Sequence, residues 1–177
     1  MVINVAQLLK AEVGARRQYD IDELGGEGAP ESGTPLRGRA ELTRTDRSIL
    51  VQATLTTELR GRCDRCLEPV RQPLTVRLEE EFYPTVDVLH GGRPPEPESP
   101  EAFRIDDQHQ LNLGEAIRQY LIIGQPLRLL CRPRCAGLCL SCGANLNLGR
   151  CTCPPDGGDQ RWATLRQLLE GEKFGRS

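Results

Sequence analysis

The feature that most constrains this chain is the run CRPRCAGLCLSCGANLNLGRCTC, Cys131 to Cys153. It holds six of the eight cysteines, and the other two, Cys63 and Cys66, form a lone C-x2-C far upstream. Zinc takes four soft ligands in a tetrahedron. C-x2-C lets two thiolates of one tight turn reach the same ion while nearby backbone N–H groups point at the sulfurs. Gly143, directly after Cys142, supplies the backbone freedom such a turn needs. Eight cysteines make two complete sets of four, so zinc is the expected cofactor, two ions per chain. The preferred partition assigns Cys63, Cys66, Cys131 and Cys135 to one ion and Cys139, Cys142, Cys151 and Cys153 to the other. A swap that moves Cys135 into the second set stays open, because Cys151-x-Cys153 is a less usual spacing than the two C-x2-C turns.

Two other uses of cysteine compete with metal binding. A disulfide framework needs an oxidising compartment, and Met1 to Val13 has no basic leader region, its apolar residues being interrupted by Asn4, Gln7 and Lys10. A C-x2-C redox pair is expected at the end of a strand opening a helix within a βαβ pattern, which this sequence lacks. No apolar run approaches the ~20 residues that span a bilayer, so the expected setting is cytoplasmic, with no membrane partner.

The chain of 177 residues, with seven aromatics, must build a modest core from Leu, Val, Ile and Ala. Its formal charge is −2. Each zinc with four thiolates adds a net −2, so the metallated protein carries about −6. Locally the sign reverses: between Ala116 and Pro155 the only charged side chains besides cysteine are Arg118, Arg128, Arg132, Arg134 and Arg150.

Asn4 is placed to cap a short helix with Val5, Leu8, Leu9 and Val13 on one face, ended by Gly14. A strand near Arg17 to Ile21 precedes a flexible loop, Gly25 to Pro35. From Leu36 the period becomes two. Leu36, Gly38, Ala40 and Leu42 share a face, as do Ile49, Val51, Ala53, Leu55, Thr57 and Leu59, with a turn near Thr45 to Arg47. A third strand puts Val70, Leu74, Val76, Leu78 and Phe82 inward, which leaves GRCDRCLEP at a hairpin tip. A metal at that tip must find its other ligands elsewhere in the chain. Phe103 and Ile105 are read as an edge strand. Asn112 with Glu115 signals a capping box for a helix whose stripe is Leu113, Ala116, Ile117, Tyr120 and Leu121. Asp159 caps a last helix with Trp162, Leu165, Leu168 and Leu169 inward, Trp162 serving as its core anchor.

The outer sheet face mixes Arg37, Arg39, Arg60, Arg71 and Arg77 with Glu41, Glu58, Glu79 and Glu81, the pattern of a solvated face. Arg62, Arg65, Arg132 and Arg134, flanking the cysteines, are the candidates for RNA phosphate contacts; their competing role is to offset the charge of the first metal site. His90 and His109 lie in polar segments without a ligand or base pattern. There is no P-loop, no paired-carboxylate context and no His beside a nucleophile, so no enzyme activity and no small-molecule substrate are expected.

CDRC at a hairpin tip, the capped LGEAIRQYLI helix, LCRPRCAGLCLSCGANLN, CTC and RWATL together resemble the YceD family, the large ribosomal RNA subunit accumulation proteins. The resemblance runs from about Asn4 to Leu169 and is specific in the cysteine block. PPDGGD and Gln160 depart from the acidic run and the proline that many relatives carry there. The resemblance implies a role in making or keeping large-subunit ribosomal RNA, hence in large ribosomal subunit assembly, with large-subunit ribosomal RNA, a precursor ribonucleoprotein or ribosomal proteins as partners; its motif establishes no enzymatic activity, and a non-enzymatic factor is the expectation. The alternatives are a zinc-ribbon interaction module in transcription or another assembly and, more weakly, a thiol oxidoreductase. The expected fold is α+β: an antiparallel β meander or partly open barrel with packed helices and a C-terminal zinc-ribbon-like element. The expected domains are residues 1–130, with a mobile Pro-rich linker at 84–101, and 131–177, the cysteine-rich element with the terminal helix.

Overall fold

The computed structural model describes residues 1–24, 34–149, 151–153 and 160–162. The chain forms two compact units, one from Met1–Gly61 with Pro69–Leu129, the other from Arg62–Glu68 with Leu130–Ser177.

The first unit is mostly β, a curled half-barrel sheet with few helices. Its strands are β1 (Val2–Asn4), β2 (Arg16–Leu24), β3 (Pro35–Arg44), β4 (Ile49–Arg62), β5 (Pro69–Pro84), β6 (Phe103–Ile105) and β7 (Gln110–Asn112), in the order β1-β7-β6-β5-β4-β3-β2. The period-two reading locates β3, β4 and β5, because alternate residues of each are buried: Leu36, Ala40 and Leu42; Ile49, Val51, Ala53, Leu55 and Leu59; Val70, Leu74, Val76, Leu78 and Phe82. Burying a side chain of this size stabilises by about 1.5–3 kcal/mol, so these strands and the helix below carry the core. The turn from β3 to β4 is tied by Thr45 and Ser48, whose hydroxyls lie 2.7 Å apart while the Ser48 N–H donates to Thr45 Oγ1.

The antiparallel meander holds only in part. β6 pairs in parallel with β5, Phe82 opposite Phe103, and lies inside the sheet between β5 and β7, so it is not the edge strand expected of Phe103 and Ile105. The edges are β1 and β2. A parallel neighbour needs a crossover of a dozen or more residues, and the Pro-rich segment 85–102 is that crossover. Asp87 organises its start, accepting the backbone N–H groups of Leu89 and His90.

The packed helices reduce to two among the described residues, α1 (Ala6–Leu9) and α2 (Gly114–Ile123). Each follows a short strand that ends in asparagine: Asn4 Oδ1 accepts the Ala6 N–H at 3.1 Å and Asn112 Oδ1 accepts the Gly114 N–H at 2.9 Å. Both asparagines therefore cap from the last strand position, one residue before the helix boundary. Glu115 does not close a capping box; it binds Arg118 and Gln119 instead. Leu113, Ala116, Ile117 and Leu121 are buried as expected, whereas Val13 is 66% exposed and α1 is a single turn.

On the outer face the charges pair across strands, Arg37 with Asp22 and Arg39 with Asp20, both at 3.1 Å, and Arg16 with Glu41 at 3.2 Å. These exposed pairs are worth at most about 1 kcal/mol each, and they balance charge along the β2–β3 part of a solvated face. No described helix is long and apolar enough to cross a membrane. Of the flexible loop expected from Gly25 to Pro35, residues 25–33 lie outside the described residues and Pro35 already opens β3; the body of the terminal helix, with Leu165, Leu168 and Leu169, also lies outside them. Trp162 closes a 3-10 turn (Gln160–Trp162) and is 60% exposed, so it is not the core anchor expected of it.

Candidate metal centres

All eight cysteines fall in the second unit, and they assemble as two tetrads. Cys63, Cys66, Cys131 and Cys135 have their sulfurs within 4.8 Å of one another, as do Cys139, Cys142, Cys151 and Cys153. Cys135 thus lies with the upstream pair and not with the second set.

Each C-x2-C is held by the same backbone device. The Leu67 N–H donates to the Cys63 carbonyl at 2.9 Å and the Cys63 N–H to the Glu68 carbonyl at 2.8 Å. In the second turn the Gly143 N–H donates to the Cys139 carbonyl and the Cys139 N–H to the Ala144 carbonyl, both at 2.8 Å. The residue after the second cysteine must take a left-handed conformation to close this turn: Gly143 has φ 71° and Leu67 φ 61°. Sequence reading finds the need at Gly143 and misses it at Leu67, where no glycine marks it. Gly137, at φ 77°, makes a further requirement, since a Cβ there would lie 3.2 Å from the Arg65 carbonyl oxygen. Its missing side chain lets the segment from Cys131 to Cys139 approach the upstream turn.

The donor sets fit zinc. Four thiolates at about 2.3 Å from a tetrahedral ion stand about 3.8 Å from one another; Cys63 and Cys135 sulfurs are 3.8 Å apart and Cys66 and Cys131 3.6 Å. A disulfide needs about 2.05 Å, and all eight cysteines are free. Cys63, Cys66 and Cys135 are buried and Cys131 exposed; in the second tetrad Cys142 is exposed and the others half-buried.

The thiols are also charge-frustrated in the way a cation relieves. Burial opposes ionisation of Cys63, but backbone N–H groups of Cys131, Cys66 and Arg65 bring its thiol down to about 6. Desolvation and then the sulfurs of Cys135, Cys66 and Cys63 push Cys131 up to about 12. The second tetrad repeats this. The Cys142 and Ser141 backbone brings Cys139 down to about 6, and the Cys142 sulfur followed by burial pushes Cys153 up to about 12. A divalent cation removes the repulsion that keeps the last thiols protonated.

Residues 51–169 match the family described as large ribosomal RNA subunit accumulation protein YceD. The chain belongs to the YceD family. An uncharacterized protein of Mycobacterium tuberculosis is 33% identical over 131 residues, 70% of this chain and 57% of that protein. The chloroplastic large ribosomal RNA subunit accumulation protein YCED homolog 1 of Arabidopsis thaliana is 23% identical over 188 residues, 94% of this chain and 57% of that protein. Its namesake in Zea mays is 25% identical over 151 residues, 69% of this chain and 50% of that protein. The chain thus spans about half the length of the curated relatives it matches. No solved structure matches it.

In this YceD-family chain the four arginines singled out near the cysteines divide into two kinds. Arg65 donates to the Cys135 carbonyl at 3.0 Å and Arg132 donates to Asn147 Oδ1, so both serve the first tetrad's framework. Arg62 and Arg134 are exposed and make no side-chain hydrogen bond or ion pair among the described residues. Arg150 lies outside the described residues. Asn145 and Asn147 are structural residues that the sequence reading passed over, though they stand in the GANLN that follows the second C-x2-C.

Proposed function

We propose that this protein is a non-enzymatic factor in large ribosomal subunit assembly that supports accumulation of large-subunit ribosomal RNA. The observation that supports the reading is the match to a family, and to plant relatives, described as large ribosomal RNA subunit accumulation proteins. The tetrads add the physical means. Zinc bound by each set would supply a structural cross-link and a net −2 charge, with Cys63, Cys66, Cys131 and Cys135 holding one ion and Cys139, Cys142, Cys151 and Cys153 the other. Arg62 and Arg134, which have no hydrogen-bond or ion-pair partner among the described residues, are the side chains we assign to RNA phosphates, while Arg65 and Arg132 brace the fold.

With a metallated charge of about −6, the protein gains little from bare RNA and must draw affinity from a folded ribonucleoprotein precursor. The test is sedimentation of lysate containing the tagged chain. Co-migration with large-subunit precursors, weakened by Arg62→Glu with Arg134→Glu, is expected. Co-purification with RNA polymerase and no large-subunit precursor would move the assignment to a transcription module. Nanomolar binding to random RNA at about 200 mM salt would overturn the electrostatic reading.

A further inference from the structure

One side chain of the second tetrad's loop reaches a sulfur of the first. Asn147 lies in the segment that connects Cys142 to Cys151, so the second tetrad brackets it in sequence, yet its Nδ2 lies 3.2 Å from Cys135 Sγ of the first. Its amide orientation is set by its neighbours. The Ala136 N–H, at 2.9 Å, and the Arg132 guanidinium, at 3.1 Å from Nε, are donors only, so the oxygen Oδ1 must face them. That leaves the NH2 group directed at Cys135 Sγ and at Asn145 Oδ1, 2.8 Å away. Asn145 in turn accepts the Asn147 N–H at 3.0 Å and donates to Glu68, beside the upstream turn, at 3.2 Å. Every polar atom of the Asn147 side chain is used. The only ligand sulfur it reaches belongs to the tetrad that does not bracket it.

We propose that Asn147 is a positioning residue that couples the two metal centres, so that occupation of the second centre prepares the first. The inference rests on reading both tetrads as metal sites. With the second centre filled, Cys139, Cys142, Cys151 and Cys153 hold both ends of the 143–150 segment, and the Asn147 amide is presented to Cys135 already oriented. With it empty, the first centre must order that segment at its own cost or bind metal without its N–H···S donor. Thiolates bound to metal retain lone pairs and excess charge, and an N–H donor to such a sulfur contributes to affinity as other outer-shell partners do. Loading is therefore cooperative, and by linkage a filled first centre favours the second by the same factor.

The test measures metal affinity at each centre of the full chain, by cobalt(II) titration followed through the thiolate-to-cobalt absorption and by zinc release to a chromophoric chelator. Cys131→Ser and Cys151→Ser identify which step belongs to which centre. Asn147→Asp keeps the acceptor oxygen for Ala136 and Arg132 but replaces the N–H donor with an oxygen facing the thiolate. It is expected to weaken the first centre about 10- to 100-fold and to leave the second, read in the Cys131→Ser background, within about threefold. Cys151→Ser, which empties the second centre, is expected to weaken the first by a similar factor. Adding Asn147→Asp to it should then cost less than either change alone. First-centre affinity unchanged in Asn147→Asp, or unchanged in Cys151→Ser, overturns the coupling even if one of these variants folds poorly. A wild-type chain that binds no metal overturns the metal reading and the coupling with it. A wild type with two metals and independent sites overturns the coupling alone.

Discussion

Gly137 and Gly143 share nearly the same backbone conformation, at φ 77° and 71°, but differ in what surrounds them. Replacing Gly143 with alanine puts a Cβ into open space, with no atom within 4 Å, so only the left-handed backbone penalty applies. That penalty is about 1 kcal/mol, or roughly fivefold in metal affinity at the second centre. Replacing Gly137 adds a contact. The new Cβ would stand 3.2 Å from the Arg65 carbonyl oxygen and 3.6 Å from Arg65 Cβ. Relief requires a shift of a few tenths of an ångström in the turn that carries Cys63 and Cys66, whereas metal–ligand distances hold to about ±0.2 Å. Backbone and crowding terms together come to about 2–3 kcal/mol, so Gly137→Ala should weaken zinc binding at the first centre roughly 30- to 150-fold. Competition with a chelator of known affinity, read separately at the two centres, measures both. Equal losses for the two variants, or a larger one for Gly143→Ala, would refute the argument that Gly137 is required by close approach as well as by conformation.

Metal binding should release protons. At pH 7 Cys131 and Cys153, near 12, and Cys66 and Cys151, raised from the ordinary value, are protonated. Cys63 and Cys139, near 6, are largely ionised. The free state holds more protons than the metallated one, so affinity rises with pH and falls as pH drops. The expected loss is at least about 100-fold per unit at each centre near pH 7, steepening below pH 6 as Cys63 and Cys139 take up protons as well. Calorimetry in buffers of different ionisation enthalpy counts these protons, and fewer than two per metal would contradict the thiol assignment. In the sheet, Gly38→Ala would place a Cβ 2.0 Å from the Thr54 carbonyl oxygen and 2.9 Å from Leu55 Cα, both backbone atoms of β4 that cannot rotate away. A loss of about 3 kcal/mol or more should lower the melting temperature by roughly 10 °C; a change under about 2 °C would mean that β3 and β4 pair less closely than described.

Much of this molecule follows from local pattern. The alternation in β3, β4 and β5 reflects a two-residue pleat with one buried face, and it places Gly38 and Ala40 inward before any partner strand is known. The stripe of α2 and the C-x2-C turns are likewise encoded over a few residues. The short strands β1, β6 and β7 are not, because three residues carry no period; they exist only through neighbours distant in sequence. The parallel β5–β6 pair depends on where an 85–102 crossover returns the chain, which composition does not state.

The cysteine block shows the same division. By itself the sequence determined that eight thiols in close spacings suffice for two tetrahedral ligand sets, because ligand chemistry and turn length are local. Only the tertiary structure decided that Cys135 stands with Cys63, Cys66 and Cys131, that Leu67 takes the conformation a glycine takes at 143, and that Asn147 reaches across to Cys135. Those outcomes turn on the distance between segments separated by more than 60 residues along the chain, or on a side chain donating outside its own loop. They are settled when the sulfurs, the buried donors and the closely approaching backbones are satisfied together.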